Sequence, residues 1–276
     1  KYHEELGHPS MATTRKTAKA RGVNIKGTAQ ICEDCVISKA RQKNVPKSQI
    51  PRSKIPGERL FVDISSPSQR SLGGGRHWLL VLDDASDLPF SFFLSHKDML
   101  AMELVPFIRN LKKEGISVKI IRCDNAGENM AFEKAAKDAD LGLTFEYTAP
   151  GTPQQNGRVE RKFQTLYGRV RSMLRGSGLQ PPIRDKLWCE AGNTATYLDG
   201  ILVREGQQGN KSAFQTFFGK GKKTIIIPTI EDTRKFGERC IAANRAGIKA
   251  KLSDRGKEMR WLGYSKNHPA GTYRLL

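Results

Sequence analysis

Three carboxylates lie at positions from which they could bind divalent metal ions. Asp63 is in the apolar segment LFVDI, Asp124 ends the apolar segment VKIIRCD, and Glu160 follows the polar loop GTPQQNG. Carboxylate oxygens are the ligands that Mg²⁺ and Mn²⁺ prefer, and two such ions about 3.5–4 Å apart can activate one oxygen and stabilise the other in phosphodiester chemistry. We therefore predict that Asp63, Asp124 and Glu160 are catalytic and bind two Mg²⁺ or Mn²⁺ ions, in order to cut and join nucleic-acid strands.

Each carboxylate also has a simpler interpretation. Asp124 begins the tetrapeptide Asp-Asn-Ala-Gly, which is typical of a turn. Glu160 lies in the first turn of a predicted helix, where it would interact favourably with the helix dipole. Asp63 is harder to explain in this way, because an aspartate within an apolar strand must be exposed, paired or bound to a metal. The spacing alone leaves these interpretations open.

Two histidines and two cysteines near the N-terminus form a second candidate metal site, made of His3, His8, Cys32 and Cys35. Two neutral imidazoles and two thiolates suit one tetrahedral zinc ion, and a segment with so few large apolar residues needs such a ligand to fold. The alternative is a chance Cys-x-x-Cys beside surface histidines. The chain has 5 cysteines, and this odd number argues against a disulfide framework and for a reducing compartment.

The charge of the chain indicates a polyanionic partner. There are 47 Lys and Arg residues against 28 Asp and Glu residues, which gives a formal net charge of +19. We expect DNA, and no membrane partner, because no basic amphipathic segment has an opposite face rich in Trp and Phe. No apolar segment reaches the ~18 residues that span a bilayer, and the first residues contain no signal peptide. A basic protein evolved for solubility is the alternative.

The loop before Glu160 and the helix that contains it carry side chains suited to DNA. Amides can hydrogen-bond to bases or sugars, and basic side chains can neutralise phosphates. We predict DNA contacts from six residues: Gln154, Gln155, Asn156, Arg158, Arg161 and Lys162. The alternative for the basic residues is a solvated helix face.

Apolar periodicity predicts an α/β fold. Short apolar segments at 60–64, 77–84 and 88–94 are separated by polar turns, which indicates a three-stranded meander. Two more strands are predicted at 118–124 and 143–149, and helices at 99–113, 130–140, 157–175 and 187–202. This order favours a mixed sheet of five strands with flanking helices.

Composition divides the chain into four predicted parts. They are a zinc-binding helical module at 1–42, a basic proline-containing linker at 43–57, the α/β core at 58–218, and a small β-rich segment at 219–276. The start of the chain does not look like a natural initiation region, so we expect a fragment of a longer polyprotein.

The motifs resemble those of the integrase region of copia-type LTR retrotransposon polyproteins, in the retroviral integrase superfamily. HEELGHPS with CEDC is similar to the zinc module that precedes such integrases, and FVDISSP, IIRCDNAGEN and APGTPQQNGRVERKFQTL are similar to the three catalytic blocks. FGERCIAAN and the residues after it resemble the segment that follows the core. Two departures are Ala126, where the family usually has a second glycine, and Arg158-Val159, which replaces a small apolar pair.

The resemblance implies an RNase H-like core with Asp63, Asp124 and Glu160 as metal ligands. It also implies 3′-end processing and strand transfer of element DNA, and a homo-oligomer assembled on two DNA ends. The protein would act in the nucleus after a stage in a cytoplasmic particle. Two other hypotheses remain: a transposase or RNase H-like nuclease of another lineage, and a catalytically inactive or domesticated DNA-binding protein derived from such an integrase.

Overall fold

The structure is a computed structural model that describes residues 10–28, 31–38, 51–148, 156–203, 211–219, 233–243, 254–265 and 271–276. Contacts between Cα atoms divide the chain into two units, Lys1–Pro46 and Lys47–Leu276. Each is described by itself below. The four-part division made from composition is finer than these two units, and its boundaries remain predictions.

The N-terminal unit contains two short helices in its described residues. Helix α1, Met11–Ala20, begins after Ser10, whose side chain accepts a hydrogen bond from the Thr13 amide at 3.2 Å. Such a bond satisfies one of the amides that a helix start leaves unpaired, so Ser10 caps α1. Helix α2, Glu33–Ser38, contains Cys35 and begins directly after Cys32. Only Thr14 and Ala18 of α1 are buried, so this helix contributes little apolar area.

The second unit is built around a mixed sheet of five strands. The strands are β1 Arg59–Ser65, β2 His77–Asp83, β3 Pro89–Leu94, β4 Ile120–Cys123 and β5 Thr144–Tyr147. Their spatial order is β3-β2-β1-β4-β5. The first three are antiparallel neighbours, whereas β4 pairs with β1 and with β5 in parallel. This is the RNase H-like arrangement that the sequence predicted.

Helices cover both faces of this sheet. Helices α3 Leu100–Lys113 and α4 Gly127–Asp138 pack on the face that carries Leu60 and Val62 of β1. Side chains alternate along a strand, so Phe61 points to the opposite face. That face is covered by α5 Gly157–Gly176 and α7 Trp188–Ile201, with the short α6 Pro181–Arg184 between them. A further short helix, α8 Ala213–Phe218, joins the first face.

The helix boundaries follow the predictions within a few residues, and the largest shift is at α4. This helix begins at Gly127, whereas the periodicity predicted 130–140. The residues Gly-Glu-Asn that open it are polar and carry no apolar period, so the pattern became visible only after the helix had begun. Within the described residues, no helix is both long and apolar enough to cross a membrane.

A second sheet of three antiparallel strands lies near the C-terminus. It consists of β6 Arg239–Ala243, β7 Gly256–Tyr264 and β8 Tyr273–Leu275, in that order. The sheet packs on α7, where Thr194 donates its hydroxyl to the Leu262 carbonyl at 2.9 Å. Gly263 has φ 135° at this contact, and a Cβ there would lie 2.2 Å from Thr194 Oγ1. The strand expected at 224–230 lies outside the described residues.

Candidate active site

The two candidate aspartates occupy equivalent levels on neighbouring parallel strands. The register of β1 and β4 pairs Leu60 with Ile121 and Phe61 with Arg122. Continuing it by two residues places Asp63 level with Asp124, which follows the last residue of β4. Neighbouring strands are about 4.8 Å apart, and level residues of a parallel pair point to the same face. The sheet therefore brings both aspartates together on the face covered by α5.

Helix α5 carries the third carboxylate on that same face. Val159 and Phe163 are buried against the sheet, and Tyr167 donates its hydroxyl to Ser65 of β1 at 2.9 Å. Glu160 is in the first turn of α5 and is partly buried. These contacts of α5 with the sheet place its first turn on the same sheet face as Asp63.

The ionisation of Asp63 reports the proximity of the other two carboxylates. Burial raises the pKa of Asp63 to about 6, and the negative charges of Asp124 and Glu160 act in the same direction. A hydrogen bond from the Ile64 amide to Asp63 Oδ1 at 2.9 Å opposes these effects. The three carboxylates therefore form one electrostatic cluster, in which a bound cation would favour the charged form of Asp63.

Asp124 is held in its position by the turn that follows β4. Its Oδ1 accepts hydrogen bonds from the Ala126 amide at 3.2 Å and from Asn129 Nδ2 at 2.6 Å. The same Asn129 nitrogen donates to the Asp124 carbonyl at 3.2 Å, and Asn129 is buried. Ala126 has φ −80° and ψ 153°, an ordinary extended conformation, so the residue that replaces a family glycine is accommodated without strain.

Carboxylate oxygens are suitable ligands for a divalent cation, and the register of β1 and β4 sets Asp63 level with Asp124. Two carboxylates on adjacent rigid strands are suitable ligands for Mg²⁺ or Mn²⁺. Among the described residues, no three His, Cys, Asp or Glu side chains lie close enough together to bind a metal ion. The three carboxylates are therefore not gathered into a complete set of ligands in this structure.

A lysine that the sequence did not single out lies beside this cluster. Lys97, in the 3₁₀ turn Lys97–Met99 after β3, forms an ion pair with Glu128 at 3.2 Å. Its positive charge lowers the pKa of Asp63, and together with burial it lowers the pKa of His77. A single lysine after a strand has no sequence signature, so only the fold could reveal it. The sequence motifs likewise indicate no role for Glu128, although it is the partner of Lys97.

The predicted DNA contacts have different placements. Arg161 is exposed on α5, as a phosphate contact requires. Lys162 is 7% exposed, and its Nζ lies 2.8 Å from the carboxylate of the fully buried Asp199 of α7. Arg158 forms ion pairs with two aspartates of the β2–β3 turn, Asp84 and Asp87. Lys162 and Arg158 thus both form ion pairs within the fold, and their contacts with DNA remain a prediction.

The remaining predicted residues are only partly described. Asn156 is buried, and its Oδ1 has no hydrogen-bond partner in the structure as described. Gln154 and Gln155 lie outside the described residues, as do His3 and His8. Cys32 and Cys35 are partly buried, at the start of α2. The four-ligand zinc site therefore remains a prediction.

Comparison with known proteins was made on sequence and on structure. The chain is 31% identical over 201 residues to the Retrovirus-related Pol polyprotein from transposon TNT 1-94 of Nicotiana tabacum, covering 71% of this chain and 15% of that protein. It is 25% identical over 274 residues to the corresponding polyproteins from transposons RE2 and RE1 of Arabidopsis thaliana, covering 98% of this chain and 18% of each. The chain thus spans less than a fifth of the length of these relatives. No family model matches it.

Two solved structures are also similar. One is a simian T-cell lymphotropic virus intasome in complex with PP2A regulatory subunit B56 gamma, with a TM-score of 0.48, 17% identity, and coverage of 94% of this chain and 87% of that chain. The other is the HTLV-2 integrase catalytic core domain in complex with magnesium, in a trimeric form. Its TM-score is 0.43 with 15% identity, over 60% of this chain and 99% of that chain.

Proposed function

The chain belongs to the integrase region of copia-type LTR retrotransposon Pol polyproteins, and on this premise we propose that it processes 3′ ends of element DNA and transfers them into target DNA. The observation that carries the proposal is the register of β1 and β4, which sets Asp63 level with Asp124 on the face that α5 covers with Glu160. Carboxylates grouped on one face of a sheet repel one another, and a bound divalent cation would offset that repulsion.

The roles of the side chains follow from their placement. Asp63, on strand β1, and Asp124, directly after strand β4, would hold the metal ions, and Glu160 in the first turn of α5 would complete the ligand set. When bound, the metal ions would activate the attacking oxygen and stabilise the leaving oxygen of the phosphodiester. Asn129 keeps the Asp124 carboxylate oriented toward the site. Arg161 is placed to bind a phosphate beside Glu160, and Lys97 supplies a second positive charge near Asp63.

Further properties are proposed on the same basis. One zinc ion would be bound by His3, His8, Cys32 and Cys35, as the donor types suggest. The protein would act as a homo-oligomer on two DNA ends, in the nucleus after a stage in a cytoplasmic particle. The net charge of +19 supports a DNA partner, because Lys and Arg neutralise phosphates and release counterions.

The function is tested with purified protein, a labelled DNA duplex and plasmid target DNA in Mn²⁺. The wild type should join labelled ends to the plasmid, whereas Asp63→Asn, Asp124→Asn and Glu160→Gln should each lose activity by about 10²-fold or more, the scale of removing one stabiliser of transition-state charge. Asp138→Asn, at the exposed C-terminal end of α4, is the matched control and should retain activity.

The outcomes also separate the alternatives. Joining by Asp63→Asn at the wild-type rate would refute the assignment, and cutting without joining would favour a nuclease of another lineage. Salt-dependent DNA binding by a wild type that neither cuts nor binds Mg²⁺ in calorimetry would indicate the inactive DNA-binding protein.

A further inference from the structure

An ion-pair network lies at the start of α5, two residues before Glu160. The Arg158 guanidinium pairs with the carboxylates of Asp84 and Asp87, and its Nη1 also donates to the Asp84 carbonyl at 3.0 Å. The same guanidinium lies over the ring of Phe61, 5.5 Å from its centroid. Arg158 is therefore held by two charges, a backbone carbonyl and an aromatic face at once.

The turn that holds Arg158 is itself fixed. Asp83 accepts hydrogen bonds from the Ser86 amide at 2.7 Å, from the Ser86 hydroxyl at 2.6 Å and from the Gly57 amide at 2.7 Å. Arg52 donates to two carbonyls of the turn and to Asp87 Oδ2 at 2.8 Å. Asp84 is 2% exposed. Because these bonds come from both sides, the turn provides a rigid anchor rather than a mobile loop.

The first turn of α5 has no side-chain cap of its own. Asn156, at the N-cap position, makes no side-chain hydrogen bond to the helix amides. The amides of a helix start are unpaired within the helix, so a first turn without a cap frays easily. In the described residues, Arg158 supplies the polar contacts that join this turn to the sheet.

The contact with Phe61 relates the network to the candidate active site. Phe61 and Asp63 are two residues apart on β1 and point to the same face, whereas Arg158 and Glu160 are two residues apart on α5. Holding Arg158 over Phe61 therefore sets the position of the first turn of α5 along β1 and its rotation about the helix axis. Both determine how Glu160 faces Asp63. Burial, with a smaller effect of Arg52, lowers the pKa of Arg158 to about 10, so its charge is retained at neutral pH.

We infer that Arg158 is a positioning residue, which through its ion pairs with Asp84 and Asp87 sets the place of Glu160 opposite the aspartate pair. The inference rests on the proposed function only in giving Glu160 its role as a metal ligand. Arg158 acts through the helix and does not touch the reacting atoms.

A substitution in the β2–β3 turn can remove one charge of the network without changing the backbone. Asp87 has φ 62°, a left-handed conformation that asparagine adopts readily, so Asp87→Asn removes the charge and keeps the backbone. Asp140 has φ 50° and is exposed at the end of α4, so Asp140→Asn is a matched control. Amide hydrogen exchange of the peptide that contains the first turn of α5 is the primary measurement, and the Mg²⁺ concentration for half-maximal strand joining is the second.

Asp87→Asn should speed exchange in the first turn of α5 by about tenfold, which corresponds to the loss of one charge-assisted hydrogen bond. It should also raise the Mg²⁺ concentration needed for joining, and Asp140→Asn should change neither value. Arg158→Met should have a larger effect than Asp87→Asn. Adding Asp87→Asn to Arg158→Met should have a smaller effect than Asp87→Asn has alone, because the Arg158–Asp87 pair is already broken and only the Arg52–Asp87 pair remains to be lost. Arg158→Lys should restore part of the protection.

The two readouts keep this inference separate from the proposed function. If the wild type does not join strands, the proposed function fails, and exchange alone then decides whether Arg158 anchors α5. Wild-type exchange in both Asp87→Asn and Arg158→Met overturns the inference. Loss of joining in Arg158→Met with unchanged exchange also overturns it, because Arg158 would then act on DNA directly.

Discussion

At the scale of single residues, the pKa of Asp63 depends on its burial and on the charges of the other two carboxylates. Its pKa is raised from 3.8 to about 6, first by burial and then by Asp124 and Glu160. For a carboxyl group with a raised folded-state pKa, the folded state binds more protons than the unfolded state. The resulting stability is present below pH 3.8 and is lost as the pH rises through about 6.

We therefore predict that, in metal-free protein, Asp63→Asn is more stable than the wild type at pH 7.5 by about 2 kcal/mol, because the buried charge is removed. The difference should disappear near pH 4. Urea unfolding in EDTA, followed by tryptophan fluorescence, measures both values, since Trp78, Trp188 and Trp261 are all in the unit Lys47–Leu276.

The exposed Asp138→Asn serves as the control and should show no such pH-dependent difference. Added Mg²⁺ should stabilise the wild type and leave Asp63→Asn unchanged, because only the wild type retains the full set of anionic ligands. Equal stability of Asp63→Asn and wild type at pH 7.5 would contradict the carboxylate cluster.

At the scale of elements, the sequence predicted the strands and helices well and their side-chain partners poorly. Apolar periodicity is local, so the stripe of Val159, Phe163 and Leu166 was sufficient to identify α5 and its buried face. Lys162 follows Val159 by three residues and precedes Leu166 by four, so the helical period already placed it on that face. Its partner Asp199 is on α7, and no local pattern indicates a contact between those two helices.

The same limit applies to the strands. The predicted segments 60–64 and 118–124 could be recognised separately, but their parallel pairing is set by packing across the whole sheet. The register that levels Asp63 with Asp124 was therefore invisible in the sequence, and the three carboxylates were predicted from residue type and family motifs. Charge alone likewise could not show that Arg158 lies within reach of Asp84 and Asp87.

Substitutions in helix α5 test which of its basic residues bind DNA and which stabilise the fold. Arg161→Met should weaken DNA binding and reduce the slope of log affinity against log salt by about 1, since it removes one phosphate contact. Lys162→Met should leave that slope unchanged and lower the free energy of unfolding by about 2–4 kcal/mol, because the buried Asp199 loses one of its cations.

Arg169, 3.0 Å from Asp199, remains as a cation partner in the Lys162→Met variant, so the protein should still fold. Fluorescence anisotropy over a salt series and urea unfolding supply the two measurements on each variant. A reduced salt slope in Lys162→Met at unchanged stability would confirm the expectation that this lysine contacts DNA.

At the scale of the whole molecule, the two units rely on different sources of stability. The unit Lys47–Leu276 contains apolar clusters on both faces of its main sheet. In the described part of the unit Lys1–Pro46, the buried residues are only Thr14 and Ala18 of α1. Burial in these described residues alone does not offset the entropy of an ordered chain, and a bound metal would supply a further contribution to stability.

The zinc prediction follows from that difference. We expect about one zinc per chain in protein purified without chelators, and a chelator should remove the helical circular dichroism of α1 and α2 while leaving the tryptophan-detected unfolding of the larger unit unchanged. Cys32→Ser should abolish zinc binding, whereas Cys240→Ser, a partly buried cysteine of β6, should retain it. Loss of the tryptophan-detected transition on chelation would show that the metal stabilises the larger unit instead. A zinc content near zero in the wild type would mean that the small unit is held by contacts other than a metal, because its own apolar area is too small.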